Sequence, residues 1–423
     1  MQDYFEQAIT RDQADKLARF RDYFSNNEQL IYLDGNSLGQ LPLATKKLLN
    51  QLVAEQWGER LIRGWNEQWM DLPSRLAAKI AKLVGAQPDE IFVGDSTSLN
   101  LYKLAFAALM VQKRKTKIVS DELNFPTDLY VLQGLIKQQF HHHQLLLIKS
   151  PDGISIGEEQ LEKLLDNQSA LLTLSHVAFK SAFMYNMKNV NELAHKKGAL
   201  VIWDLSHAAG AVDLELNASG ANMAVGCTYK YINGGPGASA FLYVRKDLQV
   251  QLINPIASWF GHNKPFDFDR QFQSADNIRK FGVGTPNILS MAAMEPGLDL
   301  LLEAGMPALR RKSEALSVFM LEMIQKELVP LGFSVASPMQ IEKRGSHLSI
   351  QHPEAYRINR AMIEPKDTSK AIIPDFRPPN LIRMGFAPLY NRFEEMAETI
   401  QRIKNIVSLN EFERFGKEKL TVT

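Results

Sequence analysis

An aspartate closing one apolar run and a lysine shortly after another are the most chemically suggestive residues in this sequence. The first run is Leu200-Val201-Ile202-Trp203-Asp204, and His207 follows the acid. The second stretch is Cys227-Thr228-Tyr229-Lys230-Tyr231-Ile232-Asn233-Gly234-Gly235-Pro236-Gly237. Lys230 lies between two tyrosines in a segment poor in charge, a setting that lowers an amine's pKa and makes it nucleophilic. Asp204 ends a strand-like run, where open α/β sheets place their ligands. A lysine for a covalent bond and an acid facing a pyridinium nitrogen are what a pyridoxal phosphate (PLP) enzyme needs. Taken singly, the three residues have plainer readings. Asp204 could cap the turn that follows, His207 could bond within it, and most lysines are solvated surface residues. The glycine run after Lys230 leads into a strand, not a helix, so it is not a dinucleotide fingerprint.

A phosphate would need its own cradle. Ile91-Phe92-Val93 reads as a strand feeding Gly94-Asp95-Ser96-Thr97-Ser98, and a helix carrying Leu101, Leu104, Ala105 and Ala108 begins there. Unpaired N–H groups and the helix dipole make such a junction an anion site. An ordinary N-cap fits the same residues.

The elements that must position these groups alternate along the chain. Strand-like runs near Ile118, Leu145 to Ile148, Ala170 to Leu174, Leu200 to Trp203 and Ala238 to Val244 are separated by helical patterns. Met223 to Gly226 reads as an edge strand. The alternation predicts an α/β fold with a largely parallel sheet covered on both faces. Beyond Pro255 the pattern loosens, then two helices lead to a smaller α+β region of short strands and helices. The expected division is an N-terminal arm and substrate loop over 1–45 that packs with the small domain, a large domain over 46–310 and a small domain over 311–423. No internal repeat or low-complexity tract interrupts this pattern.

Composition narrows the function classes. The 423 residues are 45% hydrophobic and 22% charged with a net charge of +1, so no electrostatic footprint for nucleic acid or an anionic membrane stands out. No apolar run is long enough to span a membrane. The single cysteine, Cys227, suits a reducing compartment, and a cytoplasmic protein is expected. His141-His142-His143 point in different directions on any regular element, so no metal is implied.

The chain resembles the kynureninases, fold-type I PLP enzymes of the aspartate aminotransferase superfamily. The resemblance runs from Tyr32-Leu33-Asp34-Gly35-Asn36-Ser37-Leu38-Gly39, through Asn124-Phe125-Pro126-Thr127-Asp128 and the two opening stretches, to Leu381-Ile382-Arg383 and Pro388-Leu389-Tyr390-Asn391. It implies a mainly parallel seven-stranded sheet, PLP as cofactor and a homodimer with sites at the subunit interface. The implied reaction is hydrolysis of L-kynurenine to anthranilate and L-alanine, with 3-hydroxy-L-kynurenine as a second substrate.

The resemblance also assigns roles. Lys230 would hold the cofactor and shuttle the α-proton, and Asp204 would pair with the pyridinium nitrogen beside His207. Thr97 and Ser98 would hold the phosphate. Phe125 would stack on the ring, with Pro126, Thr127 and Asp128 following it, and Ser175 would hydrogen-bond the cofactor. Tyr229 would contact the phosphate and act as a general acid or base. Trp259 and Thr285 would reach the phosphate from the partner subunit. Arg383 would clamp the substrate α-carboxylate through its planar fork, and Asn36 belongs to the substrate loop. Trp65, Gly284 and Thr285 would meet the substrate's aromatic ring. Trp65 and Thr285 depart from the His and Asn of vertebrate members, which points to L-kynurenine over its 3-hydroxy form.

Two other readings compete. One is a different class V-type PLP enzyme, an aminotransferase or a desulfurase; a desulfurase needs a mobile cysteine beyond the lysine, whereas Cys227 precedes it. The other is a non-catalytic PLP or amino-acid sensor, which would carry a basic DNA-binding segment that the short, mixed-charge ends do not supply.

Overall fold

The computed structural model describes residues 1–418. An N-terminal helix α1 (Gln2–Gln13) and a short strand β1 (Leu30–Tyr32) precede α2 (Leu43–Gln51) and α3 (Leu72–Val84). Pro73 stands in the first turn of α3, and Gly85 ends it in the left-handed region at φ +66°, where glycine carries no Cβ penalty. Between α2 and α3 the chain winds through wider helical turns, Leu52–Arg60 and Trp65–Trp69.

The large sheet is then built in alternation. Its elements are β2 (Ile91–Val93), α4 (Thr97–Val111), β3 (Lys117–Asp121), α5 (Pro126–Gln138), β4 (Gln144–Ile148), α6 (Glu158–Leu164), β5 (Ser169–Ser175), α7 (Met187–Lys196), β6 (Leu200–Asp204), β7 (Met223–Gly226) and β8 (Phe241–Val244). The seven strands lie in the order β2-β8-β7-β6-β5-β3-β4. All neighbours pair in parallel except those of β8, which runs against both β7 and β2. Met223 to Gly226, expected at an edge, lies inside the sheet between β6 and β8. Four residues are too few to reveal by pattern which flank a strand finds.

Strand residues alternate between two cores, as a pleated sheet requires. Val201 and Trp203 join helices α3, α7 and α8 (Ile288–Ala304) on one face. Ile202 joins α4 and α5 on the other. Both faces are therefore covered, and β5 is buried along its whole length. Each fully buried Leu- or Val-sized side chain contributes about 1.5–3 kcal/mol of hydrophobic stabilisation. Trp203 also carries a polar N–H into the core, and Asn191 Oδ1 accepts it at 2.9 Å.

The C-terminal part contains α9 (Met306–Met323), β9 (Ser334–Val335), β10 (His347–Gln351), α10 (Ala355–Ile363), β11 (Ala371–Ile373), β12 (Asp375–Arg377), β13 (Leu381–Gly385) and α11 (Phe393–Ser408). A four-stranded sheet, β12-β13-β10-β9, packs beneath α9, α10 and α11 as a third core. Helix α9 spans two cores, with Leu309 in the large-sheet cluster and Leu316 and Phe319 in the C-terminal one. The N-terminal arm reaches across to this end: β1 pairs in parallel with β11, and Asp12 caps the start of α11. Among the described residues no helix is long and apolar enough to cross a membrane.

Candidate active site

Parallel strands deliver their C-terminal residues to one edge of a sheet. At that edge Asp204 is the last residue of β6, opposite Ser175 on β5 and Val225 on β7. Four residues after β7 comes Lys230. The start of α5 brings Phe125 to the same place, with the Lys230 amine 5.9 Å from its ring centroid. The sheet places β2 parallel to β7, so the first turn of α4 lies on this edge too. Ser96 is the N-cap of α4, its Oγ accepting from Leu99 N at 3.3 Å. Thr97 and Ser98 are the first helical residues and carry N–H groups that α-helical geometry leaves unpaired within the helix.

The lysine turn is packed from two sides. Gly39 N donates to Tyr229 O at 2.8 Å, and a Cβ on Gly39 would stand 2.3 Å from the Lys230 carbonyl. Only glycine lets the 34–39 loop dock there. Gly297 of α8 approaches Ile232 in the same way, and a Cβ added to it would stand 2.1 Å from that residue's carbonyl oxygen.

Burial sets the electrostatics of the cluster. The Lys230 amine lies 3.2 Å from His207 Nε2. Burial lowers the lysine's pKa; Cys227 and Asp204 oppose that, and Arg383 and Arg377 reinforce it. Burial likewise pushes His207 well down, aided by the Lys230 charge, so its imidazole is neutral. Asp204 is raised by burial, against the hydrogen bonds from Ser206 and the attraction of Lys230. Both of those bonds fall on Oδ1, at 2.8 Å from Ser206 N and 2.6 Å from Ser206 Oγ. Asp128 is raised well above the usual carboxylate range by burial and by the nearby Asp204 charge, and its Oδ2 is buried without a hydrogen-bond partner. Burial and the Cys227 thiol raise Tyr229. Ser175 Oγ donates to Asn124 Oδ1 at 2.7 Å, and Asn124 Oδ1 also accepts from Phe125 N at 2.9 Å, which ties β5 to the start of α5. Pro126 and Thr127 are the first two residues of that helix.

A second cluster sits on the small sheet. Arg383 on β13 is 1% exposed and stands directly across the ladder from Asp375 on β12. Its Nε donates to Asp375 Oδ1 at 3.1 Å and its Nη2 to Asp375 Oδ2 at 2.6 Å. Nη2 also donates to Ser37 Oγ at 2.8 Å, and Nη1 to Phe179 O at 2.6 Å. With its amide oxygen turned toward the guanidinium, Asn36 accepts from Arg383 Nε at 2.8 Å. Gly385 leaves room for that amide, since a Cβ there would stand 2.1 Å from it.

Asp204, His207, Tyr229, Lys230, Phe125, Asp128 and Ser175 thus converge, with the Arg383–Asn36 cluster close enough for its charge to act on Lys230 and His207. Four expected residues do not join them within one chain. Trp65 packs edge-on against Trp69 at 5.5 Å. Trp259 donates to Pro265 O and sits among Phe260, Phe266 and Phe268. Gly284 and Thr285 line a cavity of about 1080 Å³ with Phe92, Asp95, Phe260 and Met291, whose walls do not include Lys230. The reading from sequence passed over Ser37, Asp375 and Arg377. Asp375 and Arg377 are two apart on β12, the spacing that puts both side chains on one face of a strand.

Comparison with known proteins assigns the family. Residues 309–403 match the model of the kynureninase C-terminal domain. The chain is 40% identical over 404 residues to a kynureninase of Pseudomonas fluorescens, covering 94% of each chain. A kynureninase of Burkholderia mallei is 39% identical over 407 residues, covering 95% of each. Among solved structures, a cysteine desulfurase from Thermococcus onnurineus NA1 superposes with a TM-score of 0.80 at 18% identity, over 92% of this chain and 98% of that one. A mutant of the lyase C-DES, with glycine covalently linked to its PLP cofactor, also reaches 0.80 at 14% identity, over 91% and 99%. At such identities these two speak for the fold alone. Near-complete coverage at 40% identity, with the matched C-terminal domain, settles the family: this chain belongs to the kynureninases.

Proposed function

We propose that this chain hydrolyses L-kynurenine to anthranilate and L-alanine with pyridoxal phosphate as cofactor, accepting 3-hydroxy-L-kynurenine as well. The observation that carries the reading is the convergence of Lys230, Asp204 and His207 at one sheet edge in a chain 40% identical to a kynureninase over nearly its whole length.

The residues fit the cofactor. Asp204 keeps both its internal hydrogen bonds on one oxygen, which leaves the other for a cationic ring nitrogen. Burial disfavours its charge, and a pyridinium partner would restore it. The first turn of α4, at Thr97 and Ser98, offers N–H groups to a phosphate. When bound, pyridoxal phosphate supplies an electron sink for the bonding electrons of the substrate's Cα.

The chain's residues do the rest. Lys230 would anchor the cofactor through Nζ, and the same Nζ would hold the α-proton of a bound substrate. Burial favours the neutral amine that this step needs. His207, itself neutral, holds that amine by its Nε2. Phe125 covers the ring, with Pro126, Thr127 and Asp128 beside it, and Ser175, oriented by its bond to Asn124, hydrogen-bonds the cofactor. Tyr229 stays protonated because burial raises it, so its hydroxyl can donate to the Cβ released when hydrated Cγ departs as anthranilate. Asn36 and Arg383 receive the α-carboxylate.

Trp65, Gly284 and Thr285 meet the aromatic ring, and Trp259 and Thr285 serve the site of a second copy. Exposed Trp57, Trp259, Phe266 and Phe268 give a homodimer apolar surface to bury. Residues 1–45, 46–310 and 311–418 form the arm, large domain and small domain, in a cytoplasmic enzyme; the last residues of the expected 311–423 span, 419–423, lie outside the described residues. The reading is tested by adding L-kynurenine to PLP-loaded protein and following anthranilate fluorescence with L-alanine release. Equal amounts of both are expected, and neither product would overturn it.

A further inference from the structure

We infer that Arg377 is a second arginine of the α-carboxylate pocket, sharing the substrate's carboxylate with Arg383 through the Ser37–Asp375 bridge. The inference rests on the proposed reaction for the identity of the substrate, but not for its geometry.

Arg383 alone cannot hold a carboxylate by two parallel bonds in this arrangement. A guanidinium has five N–H donors. In Arg383 the Nε–H faces Asp375 Oδ1 and the Asn36 amide. Both Nη2 donors are taken, by Asp375 Oδ2 and Ser37 Oγ. One Nη1 donor is taken by Phe179 O. A single Nη1–H remains, so one carboxylate oxygen must find its donor elsewhere.

Arg377 is the group placed to supply it. It lies two residues from Asp375 on β12, hence on the same strand face, and Asp375 stands opposite Arg383. Its Nη2 reaches Asp375 Oδ2 at 2.5 Å and Ser37 Oγ at 3.4 Å, the same two groups that hold Arg383. Its Nε is buried with no partner. Its side chain is 33% exposed where that of Arg383 is 1%, so a ligand can reach it from solvent. Both arginine charges act on Lys230 and on His207.

The charge balance agrees. Two guanidinium charges stand against the Asp375 carboxylate. Asp34, pushed up to about 7 by burial and by Asp375, is largely protonated in mildly acidic solution. The pocket then holds one surplus positive charge, matched to one carboxylate.

The experiment compares a ligand that carries the α-carboxylate with one that lacks it. PLP-loaded parent enzyme, Arg377→Gln and Arg377→Lys are titrated with L-alanine and with ethylamine, and the cofactor's absorbance change is read. In Arg377→Gln the half-saturating L-alanine concentration should rise about 10- to 100-fold, the range for losing a charged hydrogen bond, with ethylamine unchanged. Arg377→Lys should fall between parent and Gln variant, and it carries the comparison if Arg377→Gln does not load cofactor. For L-kynurenine the change should appear in KM more than in kcat. Equal shifts for L-alanine and ethylamine, or no shift for either, would overturn the inference. A parent enzyme that binds L-alanine but yields no anthranilate would refute the proposed reaction and leave the two-arginine pocket to be decided by the titration.

Discussion

Lys230 Nζ lies 3.2 Å from His207 Nε2, and burial drives both groups toward their neutral forms. A neutral imidazole can accept from the amine without competing for a proton. In the proposed reaction Lys230 is the covalent anchor and the base, and a neutral amine suits both roles. Lys230→Ala should still bind PLP through the remaining contacts, but the absorbance of the lysine-bound cofactor should vanish. Anthranilate formation should drop by at least about 10³-fold, since both a covalent and an acid–base role are lost. Retention of both signals would exclude Lys230.

Asp204 predicts a different signature. Its Ser206 bonds fall on Oδ1, so Asp204→Asn can keep its local geometry while losing the charge. The variant should load PLP through Lys230 and show the usual bound absorbance. Its kcat should fall by about 10²-fold or more, the scale of a lost preorganised electrostatic contact. A variant with near-parental kcat would mean that Asp204 only caps its turn.

These two residues were legible in sequence because Asp204 ends, and Lys230 closely follows, a short apolar run at the edge where parallel strands deliver ligands. The helix start at Thr97 was legible for a similar reason, a strand followed by small hydroxyl residues. The position of Met223–Gly226 inside the sheet was not, because pairing order is decided by contacts between distant segments. Asp375 and Arg377 were missed because three residues of β12 are too few for a period-two pattern to register. The wider helical turns also escaped: the start of Leu52–Arg60 has the apolar spacing of an ordinary helix, and Trp65–Trp69 reads as a Trp-rich connection. Arg383 was expected to clamp a carboxylate with its whole fork, and most of that fork proves to be occupied by Asp375 and Ser37.

Asp34 gives a pH test of stability. Burial and the neighbouring Asp375 raise it from 3.8 to about 7, with Ser37 and Arg383 opposing. A carboxyl whose folded pKa is raised favours the folded state below its unfolded pKa, and that contribution is lost as pH rises through the folded value. Between about pH 4 and pH 7 the unfolded chain releases this proton while the folded chain keeps it. Asp34→Asn should therefore gain stability relative to the parent across that window. Thermal melts of both proteins should show the Tm difference moving in favour of the variant by at least about 2 °C. A difference independent of pH would show that Asp34 titrates normally.

Trp259 and Thr285 carry the last prediction. Trp259 is 42% exposed amid Phe260, Phe266 and Phe268, and Thr285 lines a cavity whose walls do not include Lys230. If these residues complete the site of a second copy, each site needs Lys230 from one chain and Trp259 from the other. Lys230→Ala and Trp259→Ala homodimers should then both be inactive. Refolding or co-expressing the two variants in equal amounts makes half the dimers hybrids, and each hybrid holds one site with both residues intact. Activity should return to about one quarter of the parental value. No recovery in hybrids isolated with two different affinity tags would place Trp259 in the same chain's site as Lys230.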